Sequence, residues 1–198
     1  MRLKGFDYSS EGCYFITIVT KDRVPLFGEI VREEMVLNEL GEIVAEEWVR
    51  SADIREEIEI EDFVVMPNHF HAVVMIFNPL NPCMGDPIST ESPVGAYGTS
   101  RYARVCKNRD HTPLQNHQST NQRGFRSPSR SLGALVRGFK SAVTTRINTI
   151  RGTPGVPVWQ RNYYDHIVGS DREYELIAEY IANNPANWLT DAERNSQD

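Results

Sequence analysis

The stretch FVVMPNHFHAVVMIF, from Phe63 to Phe77, constrains this chain more than any other. It reads as two apolar strands interrupted by Pro67-Asn68, hence a hairpin whose second strand carries His69 and His71. Side chains alternate along a strand, so both imidazoles share one face while Phe70 and Ala72 take the other. If the Phe70 face packs against a helix, the histidines stand side by side on the opposite surface. There, two imidazoles one residue apart can fill adjacent coordination positions of one divalent ion. The competing use is two histidines satisfied separately by backbone or water.

The rest of the chain supplies a scaffold for such a strand. CYFITIVT, Cys13 to Thr20, is rich in aromatic and β-branched residues and predicts a central strand. Leu37, Leu40, Ile43, Val44, Trp48 and Val49 recur at helical spacing and predict a helix from about Asn38 to Ser51. EIEIEDFVVM is the first strand of the histidine hairpin. SLGALVRGFKSAVTTRIN places Leu132, Leu135, Val136, Phe139, Val143 and Ile147 on one stripe, with Arg137, Lys140 and Arg146 largely off it: a basic amphipathic helix. VPVWQRNYYDHIV reads as another strand. Ser170 and Glu173 have capping-box spacing for a last helix, which should stop near Asn184 because Pro185 follows.

The order strand, helix, strand, strand, helix, strand, helix predicts an α+β fold. Its first six elements match a ferredoxin-like split βαβ arrangement with an antiparallel sheet, and a C-terminal helix is added. At 198 residues this is one domain, 1–198, large enough for a core without staples. Asn78 to about Arg130 is dominated by Pro, Gly, Ser, Thr, Asn and Gln, and reads as an inserted flexible loop.

Composition narrows the classes of function. No apolar run reaches the roughly 18 residues of a membrane helix, and MRLKGFDYSS lacks the apolar core of a secretory signal. Cys13, Cys83 and Cys106 show neither a disulfide framework nor zinc-ligand spacing, so a reducing cytoplasm is the expected compartment. The net charge of −6 argues at first against nucleic acid. Its distribution does not: residues 101–161 hold 12 Lys and Arg against one acid, Asp110, while the remainder holds 9 basic and 26 acidic residues. A basic segment in an acidic chain is the form a local phosphate-binding face takes, although a solvated linker has the same composition.

A metal-bearing strand needs a further ligand and a reactive group. Tyr180 and Asn184 lie four apart and share a helix face. An amide oxygen suits a hard ion such as Mg²⁺ or Mn²⁺, and a phenol can be a nucleophile. By spacing alone the pair is equally an ordinary helix end.

Taken in order, MPNHFHAVV, RGFKSAVTTRIN, VWQRNYYDHIV and YIANNP resemble the bacterial REP-associated tyrosine transposases, single-tyrosine members of the HUH nuclease superfamily. DYSSEGCYFITIVTKDRVPLFGEI is similar to that family's first strand and following loop, so the resemblance spans nearly everything but Asn78 to Arg130. It implies cleavage and joining of single-stranded DNA beside short hairpins. Metal ligands would be His69, His71 and Asn184, the ion Mg²⁺ or Mn²⁺, and the nucleophile Tyr180. Tyr163 and Tyr164 are rival phenols whose simpler use is packing or base stacking. Arg137, Lys140, Arg146, Trp159 and Arg161, with those two tyrosines, are the expected DNA contacts. His166 is an accessory proton donor or a structural group. Related transposases can be dimers that share catalytic helices, so a homodimer is an open expectation. Other readings of the same residues are a hairpin-binding module without catalysis and a relaxase-like nicking enzyme.

Overall fold

The computed structural model describes residues 11–77 and 131–194. The insert, with His111 and His117, lies outside the described residues, as do Cys83 and Cys106. The described elements, in chain order, are β1 (Gly12–Val19), a 3-10 turn (Lys21–Arg23), β2 (Gly28–Val31), β3 (Glu34–Leu37) and α1 (Glu39–Ile54). They continue with β4 (Ile58–Val65), β5 (His69–Ile76), α2 (Leu132–Arg151), β6 (Tyr164–Val168) and α3 (Asp171–Arg194).

One four-stranded antiparallel sheet, ordered β4-β5-β1-β6, organises the fold. The sequence order places α1 between β1 and β4 and α2 between β5 and β6, which is the split βαβ arrangement. Strand alternation divides the side chains between two cores. Tyr14, Ile16, Ile18, Phe70, Ala72 and Val74 pack with Trp48 of α1 and with Leu135, Phe139 and Val143 of α2. Cys13, Phe15, Val73 and Met75 take the other face, where Tyr174 and Ile181 of α3 cover them. The central strands are thus buried on both sides, and this explains their almost continuous apolar sequence.

Local chemistry sets the helix ends. Asn38 caps α1 by accepting from the Leu40 and Gly41 N–H groups, each at 3.0 Å. Ser170 accepts from the Glu173 N–H at 3.2 Å, half of the expected capping box. The Glu173 carboxylate accepts from the Gly169 N–H at 2.7 Å, one residue before the place a capping box would use.

Four features depart from expectation. The β2–β3 hairpin turns through Arg32 and Glu33, with φ of 52° and 66°, so it lacks the Asn-Gly or Asp-Gly that announces such a turn. α1 runs to Ile54, three residues past the predicted end. The strand after α2 begins only at Tyr164, although Trp159 makes an isolated antiparallel bridge to Thr20 while its ring packs between Phe27 and Phe139, with ring centroids at 5.1 and 6.1 Å. Finally, α3 continues through Pro185. An interior proline costs a helix about 3 kcal/mol. Here the turn beyond it brings Trp188 onto the ring of His69, with centroids 5.8 Å apart and planes at 28°. Packing outweighs the local preference to stop.

Candidate functional site

His69 and His71 leave β5 on the α3 side of the sheet, while Phe70 between them is fully buried on the other. Their rings lie 4.6 Å apart between centroids. Each is held at its Nδ1 atom: Thr17 Oγ1, across the strand pair, is 2.8 Å from His71 Nδ1, and Asn68 Oδ1 is 2.8 Å from His69 Nδ1. Phe15 stacks on His71 with centroids 5.3 Å apart and closes one side of the site.

The Nε2 atoms face α3. The Tyr180 hydroxyl lies 3.3 Å from His71 Nε2, and Asn184 Oδ1 lies 3.3 Å from His69 Nε2. One helix face therefore brings Tyr180, Asn184 and Trp188 to the two imidazoles. The first turn of α3 is anchored by two side chains. Tyr174 donates its hydroxyl to Asp62 at 2.5 Å, on the irregular part of β4, and His166 pairs with Glu173 at 2.7 Å. The Gly169 N–H, and then the His166 side chain, hold the Glu173 carboxyl below its usual range.

Burial, and secondarily the charge of His69, lowers the His71 pKa from 6.5 to about 3. The fold therefore keeps a neutral imidazole, the form that ligates metal or accepts a proton. It also predicts acid sensitivity. The unfolded chain takes up a proton as pH falls through 6.5, whereas the folded chain refuses it until about 3, so stability drops across that window. Urea unfolding of metal-free protein should lose up to about 2 kcal/mol between roughly pH 6.5 and pH 5. His71→Asn should flatten that slope; an equal slope in the variant assigns the effect elsewhere.

Could these residues hold a divalent ion? Two imidazole nitrogens and an amide oxygen converge, and the Asn184 Nδ2 is buried without a hydrogen-bond partner. Among the described residues no three His, Cys, Asp or Glu side chains cluster, and the Asn184 amide is the third donor they offer. Two imidazoles and an amide oxygen form a donor set that a divalent ion can accept, the oxygen being the donor that suits a hard ion such as Mn²⁺ or Mg²⁺. Because all three donors are neutral, much of the ion's charge is left for an anionic substrate to offset.

The other sequence candidates disperse. Tyr164, half exposed, shares the histidine face and meets Phe15 edge-on at 6.5 Å between centroids. Tyr163 packs against the opposite core. Trp159, 5% exposed, is a core residue and not an open stacking platform. α2 packs on the face away from the imidazoles. On it, Arg146 binds Glu47 at 2.9 Å and Glu46 at 2.7 Å across to α1. Lys140 donates to the Gln160 and Arg161 carbonyls at 2.5 and 3.2 Å, and burial lowers its pKa. Arg137 and Arg161 are exposed. Sequence reading missed Thr17, Asn68 and Trp188. A lone threonine in an apolar strand, and a third residue at four-residue spacing after Tyr180 and Asn184, were the available signals.

No helix among the described residues is long and apolar enough to cross a membrane. No family model matches the chain. It is 34% identical over 191 residues to a Haemophilus influenzae protein described as uncharacterized, covering 96% of this chain and 89% of that one. Solved structures with some likeness include a REP-associated tyrosine transposase bound to a REP hairpin, at TM-score 0.49 and 13% identity, covering 94% of this chain and 74% of that one. A candidate transposase from Deinococcus radiodurans has a TM-score of 0.40 at 14% identity, covering 92% and 96%.

Proposed function

The chain belongs to the same family as the Haemophilus influenzae protein, and within that family we propose that it is a metal-dependent, single-tyrosine DNA strand transferase of HUH type. One observation carries this reading: residues more than 100 positions apart, Tyr180 with His71 and Asn184 with His69, meet at 3.3 Å around a single point. Nothing in the packing of α3 requires a tyrosine and an asparagine to face two histidines. The sequence resemblance adds the substrate, single-stranded or hairpin DNA.

His69, His71 and Asn184 would hold Mg²⁺ or Mn²⁺, which when bound neutralises and polarises a phosphodiester. Tyr180 attacks phosphorus: its phenolic oxygen forms the new P–O bond as the bond to the departing 3′-oxygen breaks. The phenol loses its proton and the 3′-oxygen gains one, leaving a 5′-phosphotyrosine. No water is consumed, so a 3′-OH can reverse the step and join strands. His71, held neutral, keeps its Nε2 lone pair for the ion, so the phenolic proton leaves to solvent rather than to the ring. Phe15 and Trp188 stack on the imidazoles and help to orient them. Tyr164 would stack on a base beside the scissile phosphate, and Arg137 and Arg161 would contact phosphates further along.

The test is a denaturing gel of protein incubated with Mn²⁺ and end-labelled single-stranded hairpin DNA. A covalent protein–DNA band that EDTA abolishes is the expected result. Tight hairpin binding with no covalent band at any Mn²⁺ concentration would sink the transferase and leave a hairpin-binding module.

A further inference from the structure

We infer that Asn68 is a positioning residue that decides which nitrogen of His69 carries the proton, and that the Arg23 carbonyl decides which way Asn68 faces. This deepens the functional reading above and rests on it for its metal. Asn68 Nδ2 donates to the Arg23 carbonyl at 3.2 Å, so the oxygen of the same amide is the atom 2.8 Å from His69 Nδ1. Turning the amide over would set two oxygens against each other. An amide oxygen only accepts, hence His69 Nδ1 bears the hydrogen and the neutral ring keeps its lone pair on Nε2. That lone pair faces Asn184 Oδ1, also an acceptor, at 3.3 Å. A cation shared by nitrogen and oxygen satisfies both with the amide as it stands, whereas without a cation the Asn184 amide can turn over and donate Nδ2–H to the ring.

Thr17 does less for His71. A hydroxyl both donates and accepts, so it holds the ring without choosing its tautomer. Selection at His69 comes instead from backbone geometry outside the sheet. Asp22 and Arg23 have φ of 58° and 55°, a left-handed conformation uncommon for arginine. In it the Arg23 carbonyl reaches Asn68. The turn is held by bonds from elsewhere: the Thr20 N–H donates to the Asn68 carbonyl at 2.9 Å, and the Leu26 and Phe27 N–H groups donate to the Pro67 carbonyl at 2.8 and 3.1 Å. The loop after β1 and the Pro67-Asn68 turn thus form one unit that delivers His69 with Nε2 ready to ligate.

Nitrogen NMR of the imidazole rings in metal-free protein, with Mn²⁺ titrations, tests this. Wild type should show His69 protonated at Nδ1. Asn68→Ala should shift it toward the Nε2–H form that free imidazole side chains prefer, and weaken Mn²⁺ binding about 10- to 100-fold. Asn68→Asp keeps an acceptor at Nδ1 and should restore the tautomer, while the oxygen it sets against the Arg23 carbonyl leaves Mn²⁺ affinity below wild type. An unchanged tautomer in Asn68→Ala overturns the inference, and so does an aspartate that fails to rescue it. Wild-type protein with the Nδ1–H tautomer but no Mn²⁺ binding overturns the metal centre alone, leaving the tautomer data to uphold Asn68.

Discussion

Tyr180→Phe is expected to abolish the covalent protein–DNA adduct, by at least about 10³-fold, while hairpin binding and Mn²⁺ affinity stay near wild type. The substitution removes one oxygen and little else. Tyr180 is 45% exposed, and its ring contacts, edge-on to Phe15 at 6.2 Å and against His71 at 5.2 Å between centroids, survive in phenylalanine. Stability should therefore change by less than about 1 kcal/mol. The large loss follows because the two rival phenols lie elsewhere. Tyr163 faces the opposite core, and Tyr164 stands beyond Phe15. Tyr164→Phe should consequently form adduct, with any defect appearing in DNA affinity. Peptide mapping of the wild-type adduct gives an independent readout, and a label on Tyr164 would move the nucleophile there.

What the sequence made legible was whatever depends on period alone. The alternation around His69, Phe70 and His71 and the four-residue step from Tyr180 to Asn184 are properties of single elements, readable without knowing their neighbours. The order of elements then sufficed for the antiparallel split βαβ sheet. What depended on a distant partner was hidden. Arg137, Lys140 and Arg146 look alike on a helical wheel. Yet Arg146 is taken by Glu46 and Glu47 about a hundred positions away, Lys140 holds three carbonyls of the loop before β6, and only Arg137 is left exposed. Trp159 sits in an aromatic, β-branched stretch that reads as strand and does bridge Thr20, but its ring fills a pocket between Phe27 and Phe139 that the sequence did not reveal. Pro185 signals a stop that Trp188 overrides from across the site. Asn68 looked like turn punctuation, and only the left-handed Arg23 carbonyl shows that its side chain has a fixed direction.

The middle residue of His-Phe-His is where stability and chemistry meet. Phe70 has no exposed surface and lies against Trp48, Phe139 and Phe63, with centroids at 5.1, 5.3 and 6.0 Å. Phe70→Ala should destabilise the protein by about 3–5 kcal/mol in urea unfolding, a large part of the roughly 5–15 kcal/mol a domain possesses. Three rings from three different elements line the vacated space, and rigid aromatics anchored elsewhere cannot collapse into it without shifting α1, α2 or β4. Phe70→Leu, which refills most of the volume, should cost less than half as much. The same change reaches the site because His69 and His71 are attached to the backbone that Phe70 holds against the helices. Under conditions where Phe70→Ala is still folded, Mn²⁺ affinity should fall although every proposed ligand is present. A variant that loses stability and binds Mn²⁺ as wild type would mean that Thr17, Asn68 and the flanking strands fix the imidazoles unaided.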